Sequence, residues 1–526
     1  MWRRILTHAA VSTVLVLSAA PMPAIAQQPP VRADTAAIPV RMTDLMAGVV
    51  DFLSQDALRE RRVGSPGGLA AAAFLAAQFA ILGLEPGADD GSFFQRFDAS
   101  VVESEGTLVL GGSGRTATLA VGSDLVAWPY GADQTVSVDG ELVFVGFGIS
   151  ATEHGWNDFG DVPLEGRILV ALAGDPGMAD TARFSGPAGS PHARLDAKLA
   201  EAARRGARGF ILLHESDRGL REWDTVYRHW SGPTVFNRLR HSGELGFAAI
   251  TPLERFGDLV AQFGRDADVL VRRSTMPDFQ PIPLGVHAVM QLRSRIEPAV
   301  GTNVVARVAG HPDTGGAEAV LVTAGYDCEE ADDEASIAVL LGAAGAVSAR
   351  GATPRRPVYF AFTAGCSPAQ VGNAALVARP PVPLERLTAV VGVARPEARA
   401  GEPPAGVSAL DAEEAGLERM LAAAAMQSGI PVAEWRGRPG ERLSAPHAAF
   451  ANLGVPGLTV SAGPLPWSGP EASEASTHDW PVRAAVLARL AHLLAGTESR
   501  PQWTGESVYR PAWERLERRR LRGVGQ

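Results

Sequence analysis

The sequence predicts an α/β protein: a mostly parallel, twisted sheet sandwiched by helices, with a smaller β-rich unit inserted into it. Three observations carry this expectation. Between 286 and 497, short apolar runs alternate with amphipathic helical stretches, the pattern of a sheet covered on both faces. Between 117 and 275 the alternation changes to short β runs and one helix, with a Pro-rich return at 276–283. Apolar residues make up 46% of 526 residues, enough core for more than one domain and too much for a disordered chain.

In chain order, residues 1–26 read as a signal peptide. Arg3 and Arg4 give a positive start, residues 5–20 are mostly apolar, and Ala24-Ile25-Ala26 is a small-x-small cleavage site before Gln27. The expected location is therefore secreted or periplasmic. Residues 27–41 form a Pro- and Ala-rich flexible leader. The first part of the main domain, 42–116, opens with a helix over about 43–58, with Leu45, Val49, Phe52 and Leu53 on one face. Gly64-Ser65-Pro66-Gly67 then breaks the chain, a second helix spans 69–82 and Gly83 ends that helix. Residues 93–97 enter a strand. In the inserted unit, 117–275, strands at 142–145, 168–172 and 209–213 flank a helix at 194–205. The α/β domain over 284–497 has strands at 303–308, 319–323, 358–362, 389–393 and 457–460, with helices at 336–349, 413–428 and 482–495. The tail, 498–526, holds a basic helix at 510–522 whose Trp513, Leu516 and Leu521 predict docking on the body.

Composition removes several functions. The net charge is −10 with both signs mixed along the chain, unlike the clustered cationic face of a nucleic-acid binder. After the signal, no stretch reaches the ~18 apolar residues of a membrane span, so no transmembrane segment is expected once it is cleaved. Cationic side chains are almost all Arg, and Lys198 is the only lysine. There is no Gly-x-Ser-x-Gly elbow, phosphate-binding Gly loop or dinucleotide fingerprint. His192, His214, His229 and His241 lack the spacing of metal ligands.

Several motifs, in order, resemble one family. Residues 52–56 (Phe-Leu-Ser-Gln-Asp), 64–67, Leu82-Gly83-Leu84-Glu85-Pro86 and Phe94-Gln95-Arg96-Phe97 resemble the start of the co-catalytic zinc aminopeptidases, metallopeptidase family twenty-eight. That family includes glutamate carboxypeptidase II and the transferrin receptor. Residues 144–149 (Phe-Val-Gly-Phe-Gly-Ile), 164–170 and 202–207 resemble the protease-associated domain often inserted in its members. Gly301-Thr302-Asn303, followed by Gly310, resembles the entry to its catalytic sheet.

The resemblance implies two zinc ions that clamp a bridging hydroxide, with a Glu as general base, at the carboxyl ends of the strands. This sequence departs from the pattern. The first ligand His falls on Gly325 in Ala324-Gly325-Tyr326-Asp327, and Asp327, which would orient it, stands alone. Asp333 holds the bridging position within Ala331-Asp332-Asp333-Glu334. The base falls on Gly365 and the adjoining ligand Glu on Cys366. The next ligand Asp falls on Ala394, and His447 holds the last ligand position in Ala445-Pro446-His447. Two retained positions, Asp333 and His447, fall short of the three or four protein ligands zinc usually takes. If the alignment holds, these two side chains lie within one metal-site diameter of each other.

The leading expectation is an exported pseudoenzyme with no zinc or a single one, which binds a peptide or protein ligand. The alternative is a working metallo-aminopeptidase with two zinc ions and an unusual ligand set, drawing on Glu329, Glu330, Asp332, Glu334 or Glu397. His478 and Asp479 match a late region of the family's domain, as substrate-side groups or as a helix cap. The two cysteines, Cys328 and Cys366, both fall in the would-be metal loops of an exported chain, which predicts a disulfide between them. Its rivals are a single-zinc site made from both thiolates, Asp333 and His447, and a pair of unlinked buried thiols.

Overall fold

The computed structural model describes residues 42–526 except 59, 179, 181–182, 185, 187–188, 216–221, 238, 240–244, 313–317, 328–333, 350–352, 366–368, 395–405, 434–439, 463–478 and 524–526. Its centre is one continuous sheet. From one edge the order is Ala409–Leu410, Gly457–Ser461, Leu387–Ala394, Ala319–Gly325, Val358–Thr363, Ile282–Val308, Thr135–Phe144, Ile168–Leu172, Gly209–His214, Phe247–Pro252 and Val126–Pro129. Strands Val358–Thr363, Ala319–Gly325, Leu387–Ala394 and Gly457–Ser461 are parallel. Their side chains are almost all buried, as expected for apolar runs covered on both faces.

One covering layer is built on helix Glu334–Ser348, which packs against Met42–Leu53 and Asp479–Gly496. Nearly every side of it is buried, so it reads as apolar all round rather than amphipathic. Gly342 and Gly345 let the neighbours approach: a Cβ on Gly342 would lie 2.8 Å from Ala484 Cβ, and one on Gly345 would lie 2.4 Å from Met42 Cε. Helix Pro66–Ile81 starts on Ser65, whose Oγ accepts from Gly68 N–H at 3.0 Å, with Pro66 at its first position. The helix expected at 43–58 ends at Leu53, and a short 3₁₀ turn, Asp56–Leu58, follows.

The two halves of the sheet are joined by a ribbon longer than the sequence reading foresaw. Strand Phe94–Gly112 runs antiparallel to Ile282–Val308 from Phe94 opposite Val304 to Gly111 opposite His287. Along 284–292 the second strand alternates, with Leu284, Val286, Ala288, Met290 and Leu292 turned inward. From Thr302 to Ala306 it is buried on both faces, as it enters the main sheet. Gly301 lies at that transition, where a Cβ would meet the Phe97 ring at 2.1 Å. Lying between the ribbon strands in chain order, Thr135–Phe144, Ile168–Leu172, Gly209–His214 and Phe247–Pro252 form a second parallel set beyond Ile282–Val308, with its own apolar core. The tail helix Arg510–Gly523 docks through fully buried Leu516 and half-buried Trp513, while Leu521 stays exposed.

Candidate functional site at the strand carboxyl ends

Gly325 and Ala394 are the last residues of strands Ala319–Gly325 and Leu387–Ala394, and Gly365 follows Val358–Thr363 by two residues. The topology thus brings three of the expected ligand or base positions to one edge, where open α/β sheets place their sites. Asp333, Cys328 and Cys366 lie outside the described residues, as do Glu329, Glu330, Asp332, Glu397, His241 and His478.

Gly365 is fixed as a glycine by its surroundings. Its φ is +64°, in the left-handed region, and a Cβ there would lie 2.2 Å from Val371 Cγ2 and 3.3 Å from Val63 Cγ2. Its N–H donates to Asp327 Oδ2 at 2.5 Å. Asp327, with no histidine at Gly325 to orient, instead holds the turn that carries the base position. Asn303 closes that turn from behind. Its Oδ1 accepts from Ala364 N–H at 3.0 Å, and its Nδ2 donates to Gln95 Oε1 and Gly372 O, each at 2.9 Å.

Glu334, the described neighbour of Asp333, is engaged elsewhere. Its Oε1 accepts from Arg61 Nη2 at 2.7 Å, with both side chains buried. Arg61 Nε also donates to Tyr326 O at 3.1 Å, and Tyr326 Oη donates to Thr302 O at 2.7 Å. Burial, then the charge of Asp327, pushes the Tyr326 phenol well above its ordinary value.

His447 is fully buried, over the point where Gly392 pairs with Thr459. Two glycines make the room. A Cβ on Gly392 would meet Thr459 Oγ1 at 2.4 Å and His447 N at 3.2 Å, and one on Gly457 would meet His447 Cβ at 3.3 Å. Both ring nitrogens have partners: Nδ1 is 2.7 Å from Thr459 Oγ1 and Nε2 is 2.9 Å from Asp411 Oδ2. An ionised carboxylate only accepts, so Nε2 carries a proton, and in the neutral ring Nδ1 accepts from the Thr459 hydroxyl. No lone pair of this ring faces a space that an ion could enter, so His447 as placed does not fit a zinc ligand.

Asp411 is the residue that sequence reasoning missed. It has a positive φ of 66°, rare outside glycine, and its side chain is fully buried. Arg442 Nη2 lies 2.6 Å from Asp411 Oδ1, and Arg442 also bonds Glu414. Burial works to raise the Asp411 carboxyl, but hydrogen bonds and charge from His447 and Arg442 outweigh it and hold the group below the usual range. The Tyr509 ring lies 6.0 Å from the Arg442 guanidinium, and burial, then the Asp411 charge, raises its phenol. The signal was present as an Asp in a Gly-poor turn before a helix, but nothing local marks it as a histidine partner.

Thr459, His447 and Asp411 make a hydroxyl–imidazole–carboxylate chain with the connectivity of a hydrolytic triad. It cannot work as one. Thr459 is 1% exposed, inside a strand paired on both sides and against Gly392, with no room for an acyl group. Among the described residues, no group of three or more His, Cys, Asp or Glu side chains is arranged to hold a metal ion. In the segment over 117–275, His192 Nε2 pairs with Glu153 Oε1 at 2.8 Å, and His214 is buried beside Trp223.

Comparison with solved structures agrees with this architecture. An aminopeptidase from Aneurinibacillus sp. strain AM-1 is 16% identical, matches 89% of this chain and 95% of its own, and superposes with a TM-score of 0.51. A zinc aminopeptidase from Bacillus subtilis is 15% identical over 88% of this chain and 98% of its own, at a TM-score of 0.43. A peptidase precursor from Shewanella amazonensis is 15% identical over the same shares, at 0.40. No family model matches the sequence, and no curated protein matches it. The protein has the fold of the Aneurinibacillus aminopeptidase; at 16% identity the likeness shows the fold and not the activity.

Proposed function

We propose that this chain is an exported, non-catalytic member of the zinc-aminopeptidase fold that binds a peptide or protein. The observation that carries the reading is His447: both ring nitrogens are taken by Thr459 and Asp411 in a fully buried setting. Gly365 supports it from the other side, because the base position has a backbone and a packing environment that suit glycine alone. A missing general base removes a contribution of ~10²–10⁴-fold, and a missing metal removes the nucleophile itself. The segment over 117–275 is, on this reading, a protease-associated domain that supplies binding surface. The leader at the start of the sequence is read as an export signal, which places the mature protein in the periplasm or outside the cell.

The test is zinc content and turnover together. Protein exchanged into zinc-containing buffer and desalted should carry well under one zinc per chain, and it should release no product from amino-acyl p-nitroanilides. A chelator should leave its urea midpoint unchanged. Stoichiometric zinc with turnover abolished by the chelator would overturn the proposal in favour of an enzyme with a remodelled ligand set.

The cysteines give an independent check. We propose a Cys328–Cys366 disulfide across the two loops, worth roughly 3–4 kcal/mol in the loop-entropy picture. The unreduced, metal-free protein should then show no titratable thiol, before or after denaturation. Two titrating thiols would exclude it.

A further inference from the structure

The only lysine of the chain is not at the surface. Lys198, on helix Leu195–Arg204, is 1% exposed. Its Nζ donates to Phe147 O, and to Gly174 O at 2.8 Å. A buried ammonium is costly unless it is hydrogen-bonded and its charge is compensated. Lysine suits this pocket where arginine would not: it brings a compact charge with three donors, against a planar fork with five.

Two buried carboxylates compensate the charge, and each ties its own loop. Asp158 Oδ2 accepts from Phe147 N–H at 3.1 Å and Ile149 N–H at 3.0 Å, while its Oδ1 accepts from Trp156 Nε1 at 2.8 Å. Asp175 accepts from Gly177 N–H at 2.9 Å and Ser190 N–H at 2.7 Å. The ammonium joins the two loops by holding one carbonyl of each. Burial pulls the Lys198 amine down to about 8 and pushes the Asp158 carboxyl up to about 7, while their mutual attraction opposes both shifts.

The second loop continues to the former catalytic side. Gly189 lies so close to the turn Glu441–Ser444 that a Cβ on it would be 3.5 Å from Leu443 Cδ1 and 3.6 Å from Gly440 Cα. Arg194 Nη1 donates to Leu443 O at 3.3 Å. The adjacent residue, Arg442, is the cation that holds Asp411 against His447. The contacts are therefore contiguous from the Lys198 ammonium to the His447 ring.

We propose that Lys198 is the keystone of a mechanical link. By fixing the loops at Phe147 and Gly174 it braces the turn Glu441–Ser444 through Ser190 and Arg194, so that the 117–275 segment sets the position of the His447 network. A peptide or protein that engages either end would then be felt at the other, because coupling between two sites is reciprocal. Contiguity alone does not establish coupling, so the test must read both ends separately.

Hydrogen exchange by mass spectrometry on the full mature chain does this. Lys198→Met should raise exchange about tenfold in peptides covering 147–149 and 174–178, and also in those covering 441–451. Arg194→Ala cuts the link in the middle: it should raise exchange at 441–451, which it contacts directly, more than at 147–149, where Lys198 still holds the loop. Exchange at 441–451 unchanged in either variant would overturn the link. If Lys198→Met fails to fold, Arg194→Ala decides alone. Lys198→Arg with exchange like that of the unsubstituted protein would overturn the requirement for lysine.

Discussion

Arg442→Ala should lower the unfolding free energy by about 3–5 kcal/mol, the usual cost of removing one partner from a buried ion pair. The side chain is 5% exposed and sits between Asp411, whose side chain is fully buried, and Glu414. Without it, Asp411 keeps its charge in a site closed to water, with only His447 to answer it. The loss should appear as a lower urea midpoint at an unchanged slope, since the exposed surface on unfolding hardly changes. The variant Arg442→Lys should recover only part, because an ammonium cannot reproduce a planar fork facing two carboxylates. Pairing Arg442→Met with Asp411→Asn should cost less than Arg442→Ala alone, because it removes opposite charges together. The pH dependence has a definite sign. Asp411 has its folded pKa depressed, so it contributes stability that is full above the ordinary carboxyl value of 3.8 and is lost as pH falls through the lower folded value. The gap between Arg442→Ala and the unsubstituted protein should therefore be widest above that pH and narrow below it. A loss under about 1 kcal/mol at neutral pH would mean that this network does not hold His447.

The sheet was legible because its physics is local. The runs at 319–323, 358–362, 389–393 and 457–460 are apolar and bounded by turn residues, and each lies within one observed strand. The long ribbon was not read, although 284–292 carries a two-residue alternation interrupted only by Val289. The prolines before it marked a linker, and the alternation passes into a doubly buried stretch without a break, so neither template fits the whole strand. The site divided in the same way. Gly325, Gly365 and Ala394 could be placed at the strand ends because each follows a recognisable strand. Asp411 could not be found, because its partnership with His447 spans 36 residues and depends on a left-handed turn that an Asp seldom adopts. The helix expected at 413–428 begins only at Glu418, since the turn before it is shaped by Asp411 and Glu414 reaching Arg442. Pattern reasoning sees which residues an element buries; it does not see which distant polar side chains will meet.

Gly365→Glu restores the general base of the resembled family in sequence, and it should destabilise the protein without conferring hydrolysis. Two costs add at this position. A non-glycine residue at φ +64° carries about 1–3 kcal/mol of backbone strain. A Cβ 2.2 Å from Val371 Cγ2 forces that side chain and its helix to move, and overpacking of this kind costs about 1–3 kcal/mol. The expected total is about 2–6 kcal/mol, provided the turn stays bonded to Asp327 and Asn303. The two costs can be separated. Gly365→Ala should carry both, because the collision begins at Cβ. Gly365→Ala combined with Val371→Ala relieves the collision, so its cost relative to Val371→Ala alone should shrink to the backbone strain. The readouts are the urea midpoint for stability and p-nitroaniline release, with and without added zinc, for activity. A folded Gly365→Glu protein as stable as the original would mean that the turn is free to reshape around a side chain. Zinc-dependent turnover in that variant would go further, since it would show that only the base had been lost and that a metal still finds its ligands.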